Sequence, residues 1–232
     1  MKKAKKRSKA VILLSGGLDS LVALGYTKEK YGIELALTFD YGQKSAKQEI
    51  ETSKKIAEFY NIKHKVIKLD WLKEITHTSL VSDDEIPTDN LGTKESASNV
   101  WVPNRNGLFL NIAASFADSF GYDYILFGAN KDEGQTFSDN TEEFREQISK
   151  VFESSTLKKP KVVAPLINCS KDDIVRIAME NSIPLELVRS CYSSKPKHCG
   201  VCESCRHLKN ALMANKGEKY ISILFEEWCI QS

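Results

Sequence analysis

The chain has 232 residues, 41% hydrophobic and 28% charged, with a formal net charge of +2. That is enough for one substantial core and a small appended unit. No apolar stretch is long enough to span a bilayer, which argues against a membrane protein. Six of the positive charges (Lys2, Lys3, Lys5, Lys6, Arg7 and Lys9) sit in the first nine residues. Residues 1–9 therefore read as a solvated basic tail on an acidic body, and an acidic body argues against a broad nucleic-acid surface. The apolar run after the tail is too short for a secretory signal. A soluble, cytoplasmic chain is the expectation.

The first element is a buried strand over 10–15, from Ala10-Val11-Ile12-Leu13-Leu14. Ser15-Gly16-Gly17-Leu18-Asp19-Ser20 follows, and helical spacing runs over 19–31. Adjacent glycines permit a tight turn with positive φ and close backbone approach. A strand, a glycine turn and a helix N-terminus present unpaired N–H groups and a positive dipole end to an anion, and Ser15 and Ser20 add hydroxyl donors. Phosphate binding is expected; the plainer reading is a strand-to-helix turn with a serine cap. Asp19 reads either as a magnesium or phosphate-positioning residue or as a helix cap. The loop is neither G-x-x-x-x-G-K-[ST] nor G-x-G-x-x-G, so γ-phosphate transfer and dinucleotide binding lose ground.

Further along, strands are expected over 33–40 and 64–69 and a helix over 45–60. Residues 82–103 have little periodicity and read as a mobile active-site loop. A helix over 104–120 follows Val102-Pro103, which forces an extended approach. Asn104 is a natural cap for it. Arg105 then sits in the first helical turn, where a cation opposes the dipole, so an anionic ligand or a carboxylate partner is expected. Strands over 123–128 and 161–166 and helices over 141–154, 171–181 and 203–214 complete the pattern. Such alternation gives an α/β fold, a Rossmann-like doubly wound parallel sheet. Ligands bind beyond the carboxyl ends of such strands, so residues 15–20, 40–44 and 128–139 should share one crevice. Asp139 could cap the helix that begins near Thr141.

Four of the six cysteines, Cys191, Cys199, Cys202 and Cys205, fall within fifteen residues. Their spacing suits one closed structural zinc site per chain. An iron–sulfur cluster is the main competitor, and disulfides fit a cytoplasmic chain poorly. His198 and His207 flank the cluster and read as surface or supporting residues; Cys169 and Cys229 read as ordinary buried thiols. The expected organisation is a tail over 1–9, a nucleotide-binding domain over 10–168 and a helical zinc-binding subdomain over 169–232.

These motifs together identify a resemblance. Ser15 to Ser20 matches the S-G-G-x-D-S loop of the pyrophosphate-loop ATP pyrophosphatases. Phe39-Asp40-Tyr41-Gly42-Gln43, Val102-Pro103-Asn104-Arg105-Asn106-Gly107-Leu108-Phe109-Leu110 and Ser190-Cys191-Tyr192 with Cys199-Gly200-Val201-Cys202-Glu203-Ser204-Cys205 resemble, nearly end to end, the 7-cyano-7-deazaguanine synthases of queuosine biosynthesis, the QueC family. The resemblance implies the adenine nucleotide α-hydrolase type of fold and cleavage of ATP between its α- and β-phosphates. It implies ATP, with magnesium, on Ser15, Gly16, Gly17, Leu18, Asp19, Ser20 and Asp40, and a catalytic set of Asp19, Ser20, Lys44 and Arg105. It places a small deazapurine carboxylate against Tyr41, Gln43, Asn104, Arg105, Phe137 and Asp139. Free ammonia is the expected amine, since Lys2 stands where glutamine-hydrolysing relatives carry a cysteine. The zinc module and the apolar segment from Tyr220 to Trp228 could support a homodimer. One stretch departs from the family. Its usual S-G-Y-P-D-C-R-x-E-F reads Gln135-Thr136-Phe137-Ser138-Asp139-Asn140-Thr141-Glu142-Glu143-Phe144 here, and Lys44-Ser45 replaces Arg-His. The first alternative is therefore a relative that joins the activated carboxylate to a different amine, such as a protein or DNA-associated acceptor. The second is a tRNA-thiolating enzyme, for which Cys169 is the sole candidate sulfur carrier. The third is a catalytically silent zinc ribbon that binds nucleic acid.

Overall fold

A computed structural model describes residues 8–86, 88 and 98–226. The tail up to Arg7, the centre of the 82–103 loop and Cys229 lie outside the described residues.

Five strands form one sheet: β1 (Ala10–Leu13), β2 (Ile33–Asp40), β3 (Lys63–Lys68), β4 (Tyr124–Leu126) and β5 (Lys161–Val163). All four pairings are parallel, in the order β3-β2-β1-β4-β5. The chain builds outward from β1 to β3, then crosses back to lay β4 on the other side of β1. The strand order thus reverses between β1 and β4, the point where open α/β sheets leave a crevice beyond their carboxyl ends.

The helices are α1 (Leu18–Tyr31), α2 (Ala46–Phe59), α3 (Asp70–Glu74), α4 (Arg105–Phe120), α5 (Lys131–Gly134), α6 (Glu142–Ser155), α7 (Lys171–Glu180), α8 (Glu203–Ala214) and α9 (Glu218–Leu224). Alternation along β1 divides the core. Ala10 and Ile12 join a cluster with residues of α1, α2, α7, α8 and α9, whereas Val11 and Leu13 join residues of α3, α4 and α6. A parallel sheet covered on both faces needs such continuous apolar strands, and all four residues of β1 are buried.

The elements expected from periodicity all form, with ends within two residues of expectation except at β5, which stops three residues short. β4 stops after three residues, and the chain directly beyond it, Phe127 and Gly128, lines the crevice. Short α3, α5 and α9 carry too few periods to be read from sequence. The expected boundary at residue 168 is crossed by one apolar cluster: Ile174, Val175, Leu208 and Leu212 pack with Leu21 and Leu24 of α1. Ile221, Leu224 and Phe225, expected at a dimer contact, are buried in this same cluster.

Candidate active site and metal centre

β1 delivers the loop 15–17 to the switch point. Gly16 has φ +79°, and a Cβ there would lie 2.8 Å from Thr52 Cγ2. Gly17 is extended and serves as the N-cap of α1 without needing positive φ. The two hydroxyls fold the loop on itself. Ser20 Oγ accepts the Ser15 N–H at 3.3 Å and donates to Gly17 O at 3.1 Å; Ser15 Oγ accepts the Gly17 N–H at 3.3 Å. Bonds this long are weak and exchange readily for bonds to a phosphate. Across the crevice, Gly128 follows β4, and a Cβ there would stand 2.8 Å from Asp19 C and Ser20 N. Its missing side chain lets the start of α1 press against the end of β4.

Charge is concentrated beside this loop. Lys171, the first residue of α7, donates to Asp19 Oδ2 at 2.6 Å and to Glu133 Oε1 at 2.8 Å. Its helix starts at a capping box between Ser170 and Asp173. Burial pushes the Asp19 carboxyl up to about 6, against the pull of Lys171. Burial opposes the Lys171 charge too, but Asp19 and Glu133 outweigh it and raise the ammonium above its ordinary value. Asp19 Oδ1 is buried without a hydrogen-bond partner, a free acceptor for a cation or a ligand. Asp19 lies at the second position of α1 and caps nothing.

Arg105 opens α4. Burial opposes its charge, but Tyr41, to which it hydrogen-bonds, and the nearby Asp139 and Glu133 keep it firmly protonated. Asp139 lies in a 3-10 turn (Ser138–Asn140) and accepts the Asn106 N–H at 3.3 Å and Asn140 Nδ2 at 3.0 Å. Thr141 caps α6 by accepting the Phe144 N–H, so the capping alternative for Asp139 does not hold. Phe137 stacks on Trp101 with ring centroids 5.7 Å apart and 17° between planes.

Ser15, Gly17, Leu18, Asp19, Ser20, Tyr41, Arg105, Phe137 and Asp139 line one crevice. Gly16, Asp40, Gln43, Lys44 and Asn104 do not. Asp40 Oδ1 accepts the Gly42 N–H, closing a turn. Gln43 is buried, donating to Phe39 O and Glu49 and accepting the Tyr41 N–H. The Lys44 ammonium reaches the Asp84 carbonyl. Asn104 takes a left-handed conformation and makes no side-chain cap bond; Asn106 lines the crevice in its place. Trp101, Glu133, Lys171 and Arg189, which no motif had marked, also line it, as do Ser190 and Tyr192, which the sequence marks only as neighbours of Cys191 in the cysteine segment. For Lys171 a signal existed: like Arg105, it is a cation in a first helical turn, directly behind an S-x-x-D capping box.

The four cysteines form the second centre. Their sulfurs lie within 4.8 Å of one another, with Cys199 and Cys205 Sγ 3.9 Å apart. A tetrahedron of Zn–S bonds near ~2.3 Å has edges of about 3.8 Å, so these donors fit a single zinc. An iron–sulfur cluster puts each thiolate on a separate iron and spreads the sulfurs further. Cys202 is the N-cap of α8 and Cys205 lies in its first turn, where the dipole favours thiolates. His198 is not a surface residue: it is buried, its Nε2 accepts the Ser190 N–H at 3.0 Å, and its Nδ1–H donates to Leu224 O at 3.1 Å. His207 stands at the crevice rim. Cys169 is half-buried, more open than expected.

The family described as queuosine biosynthesis protein QueC matches residues 9–216. The chain is 48% identical over 213 residues to a 7-cyano-7-deazaguanine synthase of Carboxydothermus hydrogenoformans, covering 89% of this chain and 99% of that protein. It is 48% identical over 218 residues to the synthase of Methanosarcina barkeri, covering 88% and 94%. Among solved structures, the U34-tRNA thiolase of Methanococcus maripaludis with its [4Fe-4S] cluster superposes with TM-score 0.50 at 20% identity, covering 95% of this chain and 71% of that one. A 4-thiouridine synthetase–RNA complex with bound ATP gives TM-score 0.51 at 22% identity, covering 97% and 54%. Likenesses at such identity show the fold alone.

Proposed function

Because the chain belongs to the queuosine biosynthesis protein QueC family, we propose that it is an ATP-dependent 7-cyano-7-deazaguanine synthase. The observation that carries this reading is the 48% identity to curated synthases across 99% and 94% of their lengths. The thiolase and silent-ribbon alternatives have no comparable support. The different residues at 135–141 stay within a chain that otherwise follows those relatives.

The chemistry needs two activations. A carboxylate oxygen of 7-carboxy-7-deazaguanine attacks the α-phosphorus of ATP, and pyrophosphate leaves. Ammonia attacks the resulting acyl adenylate, AMP leaves, and the amide forms. The amide oxygen then attacks the α-phosphorus of a second ATP, pyrophosphate leaves, and loss of AMP and two protons gives the nitrile. The weakly bonded N–H groups of residues 15–20 and the Lys171 ammonium supply positive potential where the pyrophosphate charge grows. Lys171 takes the phosphate-neutralising role expected of Lys44. Asp19, with its unpartnered buried oxygen, suits a magnesium ion arriving with ATP. Magnesium would supply charge neutralisation on the phosphates. Arg105, Asn106 and Asp139 form the polar wall for the base, and Trp101 with Phe137 forms the aromatic one.

Cys191, Cys199, Cys202 and Cys205 hold one structural zinc in this reading, supported by their spacing and by four sulfurs within 4.8 Å of one another. A zinc-binding unit from residue 169 onward, packed on α1, and a cytoplasmic setting that keeps thiols reduced complete it.

The test is the product. With ATP, magnesium, ammonia and 7-carboxy-7-deazaguanine, mass spectrometry should find the nitrile together with AMP and pyrophosphate. ADP and phosphate as products, or an amide to another amine as the end point, would overturn the reading.

A further inference from the structure

Arg189 and Ser190 lie between the loop 15–20 and the four-cysteine centre and hydrogen-bond to both. On the loop side, the Arg189 N–H donates to Gly16 O at 2.8 Å, and Ser190 Oγ accepts the Leu18 N–H at 3.4 Å. On the metal side, the Ser190 N–H donates to His198 Nε2 at 3.0 Å. The Arg189 guanidinium donates to Ser193 O at 2.5 Å and Pro196 O at 3.2 Å, both in the stretch between Cys191 and Cys199. Arg189 and His198 are 5% and 2% exposed, so water competes little for these bonds. The bonds inside the loop itself are 3.1–3.3 Å long. The shorter contact from Arg189, placed from outside, holds Gly16 in its left-handed conformation.

We propose that Ser190 and His198 are positioning residues for the nucleotide. The metal-bound stretch 191–199 fixes His198, which fixes the Ser190–Arg189 backbone. That backbone in turn sets the Gly16 carbonyl, and the Ser190 hydroxyl it carries orients the Leu18 N–H. The metal centre thereby tunes the phosphate loop in addition to holding the fold. This rests on the reading of residues 15–20 as a nucleotide loop. It differs from a plain structural staple, which would act on stability and leave the loop alone.

The experiment titrates α,β-methylene-ATP with magnesium into the zinc-replete parent and into Ser190→Ala, His198→Ala and His198→Gln. Metal content and thermal midpoint are measured for each, and amide exchange of Leu18 for Ser190→Ala. Ser190→Ala should keep the parental metal content and midpoint, bind the analogue about two- to threefold more weakly and exchange the Leu18 amide faster, as expected for the loss of one long hydrogen bond. His198→Gln, whose carbonyl oxygen can accept the Ser190 N–H, should recover most of what His198→Ala loses. If His198→Ala sheds the metal, Ser190→Ala still decides, since its hydroxyl bonds to Leu18 and to none of the four cysteines. A parent that binds the analogue and a Ser190→Ala protein that binds it equally well, with unchanged exchange, would overturn this proposal alone. A parent that does not bind would overturn the nucleotide-loop reading and this proposal with it.

Discussion

Lys171 carries its charge at the start of a helix, where the dipole opposes it, and it is compensated by two carboxylates rather than one. Lys171→Met leaves Asp19 and Glu133 facing each other without a counter-charge. Breaking a buried pair this way costs about 3–5 kcal/mol, which urea denaturation at pH 8 would register. The cost should depend on pH in a defined direction. The Asp19 carboxyl already sits at about 6 in the folded chain, and losing Lys171 raises it further. A folded value raised above the unfolded one of about 3.9 gives stability that is present at low pH and is lost as pH rises through the folded value. The gap between parent and variant should therefore widen from pH 5 to pH 8; a gap that stays constant or narrows would refute the account. Asp139 acts on the other ligand. If it accepts hydrogen bonds from the base, Asp139→Asn should weaken 7-carboxy-7-deazaguanine binding about tenfold or more, since a charged hydrogen bond is worth about 1.5–3 kcal/mol. ATP affinity should be nearly unchanged. Calorimetric titration of both ligands checks it, and equal loss for both would point to a general collapse of the crevice.

At the scale of elements, the site depends on how closely α1 approaches β4. Gly128 makes that approach. Adding one methyl group puts a carbon 2.8 Å from the α1 backbone at Asp19 and Ser20, and backbone cannot swing aside as a flexible side chain can. Gly128→Ala should cost about 1–3 kcal/mol as overpacking, and it should lower AMP formation by displacing Asp19. A variant with parental urea stability and turnover would show that the two elements have room to part. The strands and longer helices were legible because their apolar residues repeat with periods of two and 3.6 over enough residues to be counted. The capping of α4 was not. Asn104 has the right chemistry for a cap, yet the approach from Pro103 leaves it left-handed with its side chain over Gly107, where a Cβ would meet its Oδ1 at 2.1 Å.

For the whole molecule, the four-cysteine centre ties α8 and the segment from residue 189 to the core around α1. Cys202→Ser should lose the metal and lower the thermal midpoint together, because the binding energy of a structural metal is folding energy. Metal analysis beside thermal denaturation tests this; stoichiometric iron with visible absorption in anaerobically purified protein would replace zinc by a cluster.

Taken alone, the sequence determined whatever is local or periodic: the strands, the long helices, the glycine turn at Gly16, the clustering of four cysteines and the family resemblance. Tertiary structure decided which polar side chains share the crevice. Lys171 meets Asp19 across 152 residues, and Ser190 meets Leu18 across 172. Gln43 closes a matching motif and Lys44 directly follows it, yet they spend their bonds on Phe39, Glu49 and Asp84. The reason is geometric. A local pattern sets the direction of a backbone, but a side chain's partner depends on which elements the sheet order brings together, and here that order reverses between β1 and β4.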